Sequence, residues 1–143
     1  MKKMTSKYKI LAKFIKDLSS ETKDTETYIF VRDRILKYQL SIDINSKAIK
    51  NKMIEVNTVM KLQDKEDTKK KSFFEMTYTS VVKISDEVKE KQELEKIILC
   101  DVQSQICLDL EKSFLDMLHN SGYPNMKFEK KLDFEKLYKQ RIN

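Results

Sequence analysis

The chain has 143 residues, a net charge of +6, and 40% apolar and 36% charged side chains. That length suits one domain able to bury a core without covalent staples, and the apolar content excludes a disordered chain. A single glycine and a single histidine exclude glycine-rich phosphate cradles and a histidine-based metal set.

The first residues, MKKMTSKYKILAKF, have the basic start of an export signal. Lys7, Lys9, Lys13 and Lys16 interrupt every apolar stretch, so no signal-peptide core forms. No run approaches the ~20 apolar residues of a membrane span. A cytoplasmic protein without direct membrane insertion is expected.

Period-two alternation marks half-buried strands. Over 7–18 the apolar row is Tyr8, Ile10, Ala12, Phe14 and Leu18, broken by Lys16, while the odd positions are mixed. Over 36–45 the row is Leu36, Tyr38, Leu40, Ile42 and Ile44. Over 52–63 it is Ile54, Val56, Met60 and Leu62, and over 72–84 it is Phe74, Met76, Tyr78, Val82 and Ile84. One wet face on each strand suits an antiparallel sheet. The polar links 46–51 and 64–71 close hairpins. The longer stretch 19–35, with the cluster Tyr28-Ile29-Phe30-Val31, reads as a crossover loop or a short extra strand.

From 89 to 120 the period changes. Leu94, Ile98, Val102, Ile106, Leu110, Phe114 and Met117 recur at three and four, which predicts one long amphipathic helix. Gly122 sits where a left-handed cap is favoured, and Pro124 blocks resumption. Asp133 then caps a short final helix over 133–140. Strands followed by helices predict a single α+β domain over 1–143, with the helices on one face of a four-stranded antiparallel sheet.

Chemistry is sparse. His119 lies near a helix end without a general-base partner in sequence, and Cys100 and Cys107 read as buried thiols about 10 Å apart along a helix. No catalytic residue, metal or cofactor is expected. Lysine runs such as Lys69-Lys70-Lys71 suit phosphate contacts, which gives the alternative of a small basic nucleic-acid-binding protein. Lysine dominates over arginine, and the strand aromatics share the apolar rows, so no nucleic-acid partner is expected. Phe73 is the exception, because its parity sets it beside Glu75 on the polar face.

Three stretches carry a resemblance to a known family. They are Phe14-Ile15-Lys16-Asp17-Leu18-Ser19-Ser20-Glu21, Phe73-Phe74-Glu75-Met76-Thr77-Tyr78, and Gly122-Tyr123-Pro124 followed by Leu132-Asp133-Phe134 and Leu137-Tyr138. In that order and spacing the chain resembles the SecB family of bacterial protein-export chaperones over about residues 6–141. The resemblance implies a non-enzymatic homotetramer, a dimer of dimers, that holds unfolded precursor proteins and delivers them to the SecA motor. A chaperone dedicated to one client, such as an antitoxin, is the alternative within the class. Matched by position, the SecA contacts fall on Asp17, Glu21, Phe73 and Glu75. The client groove falls on Tyr28, Ile29, Phe30 and Tyr123. The chain departs from the family in its basic charge and in reading Val102-Gln103 and Cys107-Leu108 where relatives carry prolines, which predicts a straighter, more continuous helix.

Overall fold

Four strands form one antiparallel sheet in the order β1-β4-β3-β2. They are β1 (Tyr8–Glu21), β2 (Gln39–Ala48), β3 (Met53–Gln63) and β4 (Phe73–Ile84). In this computed structural model, residues 7–128 together with Phe134, Lys136 and Lys139 are described. The expected final helix over 133–140 otherwise lies outside the described residues. Of it, Phe134 is helical and buried in the core.

Directly opposed residues of an antiparallel pair share a face. The register therefore sorts the sheet without ambiguity. Met60 opposite Met76, Leu62 opposite Phe74 and Ile54 opposite Val82 face the helices. Met60 and Met76 are fully buried there, as packing filler for an irregular core.

In β1 the expected row survives at its two ends, in Tyr8, Ile10 and Leu18, but not between them. The register with β4 slips between Ile10 and Ala12 and again between Ile15 and Asp17. Each bulge inserts one residue and swaps the faces that follow. Phe14 opposes Thr79 and so turns away from the helices, while Ile15 opposes Tyr78 and turns toward them. The mixed odd and even positions of this segment are the sequence trace of two parity changes.

Two further boundaries differ from expectation. Residues 25–32 form helix α1 (Thr25–Arg32) rather than a loop or strand. Asp24 accepts a hydrogen bond from the Thr27 N–H at 2.8 Å, an N-cap that outweighs the local β-branched content. β2 begins at Gln39, because Ile35–Lys37 is a 3₁₀ turn. Leu36 consequently leaves the buried row and is 86% exposed. Tyr38 remains buried, and its hydroxyl accepts from the Ser72 N–H at 3.1 Å.

The β2–β3 hairpin closes through Asn51 and Lys52, both at φ near +60°. That is the tight turn whose twist matches flanking strands.

α2 (Lys91–Lys96), a π turn (Ile97–Asp101) and α3 (Val102–Asn120) run on as one helix. It is continuous, as the missing prolines allow, but not regular. Gln103, fully buried, donates from Nε2 to the Ile98 carbonyl of the π turn at 3.3 Å. Its Oε1 accepts from Thr58 of β3 at 2.7 Å. Lys13 of β1 reaches Asp109 of α3 at 2.6 Å. Cys100 and Cys107 are both buried.

Candidate functional site

The helix ends in a left-handed Gly122 at φ +106°. The Tyr123 N–H bonds back to the Leu118 carbonyl at 3.1 Å, which closes the cap and sends the chain toward α1. There the Tyr28 hydroxyl donates to the Gly122 carbonyl at 2.7 Å. The Tyr28 and Tyr123 rings lie 5.5 Å apart, and Tyr123 meets Phe74 edge to face at 5.8 Å. A Cβ on Gly122 would lie 2.5 Å from the Tyr28 ring, so only glycine allows this approach. Burial pushes the Tyr123 phenol pKa up.

These elements enclose a cavity of about 380 Å³ lined by Tyr28, Arg32, Ile35, Leu36, Tyr123 and Met126, among others. Tyr28 and Tyr123, both singled out from sequence, come together in its wall. Ile29 and Phe30 do not line it. Both are exposed on α1, and Phe30 stacks under the Arg34 guanidinium at 5.7 Å. Arg34 in turn forks onto the buried Asp64 at 3.0 and 3.2 Å. Sequence reasoning missed Leu36 as a lining residue, since it fitted a buried row. No local signal marked it, because the polar Lys37 that follows suits a strand start as well as a turn.

The opposite face of the sheet is open. Asp17 opposes Thr77, Ser19 opposes Glu75, and Glu21 opposes Phe73. The second bulge in β1 undoes the inversion made by the first and returns Asp17 and Glu21 to this face. Asp17, Glu21, Phe73 and Glu75 are thereby gathered at one end of it. Phe73 is 51% exposed, so the aromatic on the polar parity is not covered by a neighbouring loop. Lys61 opposes Glu75 in the register and stands 3.7 Å from its carboxylate.

The family model described as preprotein translocase subunit SecB matches residues 1–143. A protein of Pelagibacter ubique (strain HTCC1062), named as a candidate protein-export protein SecB, is 61% identical over 98% of this chain and 100% of its own length. Among solved structures, a Mycobacterium tuberculosis SecB-like chaperone in complex with a ChAD peptide from an antitoxin superposes with a TM-score of 0.63. It covers 87% of this chain and 90% of that one, at 8% identity, and so speaks to the fold.

Proposed function

The chain belongs to the SecB family of protein-export chaperones, and on that premise we propose how its two faces divide the work. The helix-side cavity holds extended apolar segments of unfolded precursors. The acidic end of the open face docks the SecA motor. The working unit is a cytoplasmic homotetramer.

The observation that carries the holding role is the half-open cavity behind Tyr28 and Tyr123. Its walls are mainly aromatic and aliphatic, with Arg32 and Asn125 as polar exceptions. A holdase needs this kind of surface, because an unfolded client offers many apolar side chains in no fixed pattern. Leu36, Ile29 and Phe30 extend the apolar area onto the surface. Such exposure is what a client would cover.

For docking, the support is the grouping of Asp17, Glu21 and Glu75 around the exposed Phe73. Acids around an apolar anchor suit a basic partner surface with a recess. Among the described residues, no helix is long and apolar enough to cross a membrane.

Assembly has its own support. β1 is an edge strand, and Leu11, Phe14, Ile15 and Leu18 along it are all more than two-fifths exposed. An apolar edge of this length is a template for pairing. Four copies would raise avidity for a long client through effective concentration.

The test combines mass determination with a refolding assay. A species of four chains that arrests refolding of a reduced precursor is expected, and Glu75→Lys should weaken SecA binding while arrest persists. A monomer with no effect on refolding would sink the reading.

A further inference from the structure

The register converts the open face into successive rows across β1, β4, β3 and β2. At one end lie Glu21 and Phe73, then Ser19, Glu75, Lys61 and Ser41, then Asp17, Thr77, Val59 and Asp43. Beyond Phe14, Thr79, Asn57 and Asn45 come Ala12, Val81, Glu55 and Lys47, and finally Lys9, Lys83 and Met53. Charge is segregated along the strands. The Phe73 end carries Asp17, Glu21, Asp43 and Glu75 against Lys61. The hairpin end carries Lys9, Lys47 and Lys83, with Lys16 reaching in from the bulge, against Glu55.

The basic end carries more lysines than its carboxylates balance, since Lys47 shares Glu55 with Lys16, and Lys83 shares Asp86 with Lys52. Glu55 is already engaged by the Asn57 amide at 2.9 Å and by Lys16 at 3.1 Å. Lys9 and Lys83 stand directly opposite each other, an arrangement that costs stability in a sheet. Both are exposed, and Lys9, Lys83, Lys52 and Leu11 line a recess of about 630 Å³. Lys52 there is paired with Asp86.

We infer that this lysine end is a second docking site, for an acidic polypeptide segment of the same partner whose basic surface meets the Phe73 end. The two ends then fix the partner's direction along the strands. This rests on the SecA docking proposed above. The rows from Glu75 to Lys83 span about 25 Å at two residues per row, beyond a Debye length, so each end reads its own charge. Nucleic acid fits poorly, since a phosphate backbone running along the strands would pass from Lys83 onto Asp17 and Asp43. A flat anionic bilayer would press on the same acids.

The experiment is titration of SecA onto the full chain carrying both Lys9→Glu and Lys83→Glu. About a tenfold weaker affinity is expected, with a slower association rate at low salt. Paired Lys→Gln changes should give an intermediate loss. A partner that is basic throughout would bind the Glu variant more tightly, and that outcome overturns the inference. Unchanged SecA affinity also overturns it, including where duplex DNA or anionic vesicles bind the native chain and not the variant. Glu75→Lys separates the two layers. If it weakens SecA binding while the paired Lys→Glu variant does not, only the second site fails. If neither does, the docking face itself is wrong. Arrest of precursor refolding, unchanged in both, reports an intact fold.

Discussion

Gly122 and Leu36 border one cavity and answer to different physics. Gly122 holds a left-handed backbone against the Tyr28 ring. Gly122→Ala adds strain of about 1–3 kcal/mol and forces the ring away. Urea unfolding should show that loss, and binding of an unfolded precursor should fall with it. Leu36 is exposed on a 3₁₀ turn, so Leu36→Ser should leave stability within about 0.5 kcal/mol. Precursor binding should nonetheless drop. If binding survived Leu36→Ser, the mouth of the cavity would have no part in holding. Gly122 was legible in sequence as a cap, because only one residue type suits that backbone. Leu36 was not, because alternation cannot tell the first residue of a strand from the turn before it.

At the scale of elements, the long helix is tied to the sheet by a polar latch. Gln103 satisfies both the Ile98 carbonyl of the π turn and the Thr58 hydroxyl of β3. Neither partner has water to turn to. Gln103→Leu should therefore cost about 1–3 kcal/mol for each stranded group. Adding Thr58→Val removes one of them and should recover part of the loss in the double variant. Chemical denaturation of the three variants measures this. Additive losses would mean that the two side chains do not act together. The helix was plain from its three-and-four spacing. The π turn was not read, although its trace is the unbroken spacing of four from Leu94 to Phe114, which drifts by about 40° per step on a regular helix. The bulges of β1 left a visible disturbance, but only pairing with β4 locates them.

For the whole molecule, charge pairing governs acid stability. Burial opposes ionisation of Asp64, but the Glu66 N–H and the Arg34 guanidinium hold its pKa below the usual carboxylate range. The Asn57 amide and Lys16 do the same for Glu55, and Lys52 for Asp86. The Thr27 cap lowers Asp24. Each folded pKa lies below its unfolded value, so the unfolded chain binds protons first as pH falls. Stability from these groups is complete at neutral pH and declines from about pH 5 downward. Thermal unfolding across pH 3–7 should show a plateau and then a fall. Asp64→Asn should lower the plateau and flatten the fall. A melting temperature rising toward pH 3 would contradict the assignment.

By itself the sequence determined the α+β class, the four strands, the long helix and its glycine cap. These follow from periodicity and from a backbone geometry that one residue type tolerates. Resemblance of three short stretches indicated the family, which the match over the full chain then showed. Tertiary structure decided which face each residue of β1 takes, that 25–32 is helical, and that Leu36 stands at the cavity mouth. It also decided that acids and lysines separate to opposite ends of one face. The 25–32 helix and the Leu36 turn have local causes, the Asp24 cap and the 3₁₀ turn, but the β1 faces and the charge segregation share another. Face, register and exposure are relations between segments distant in sequence, and hydrogen bonds across the sheet set them, not the local pattern.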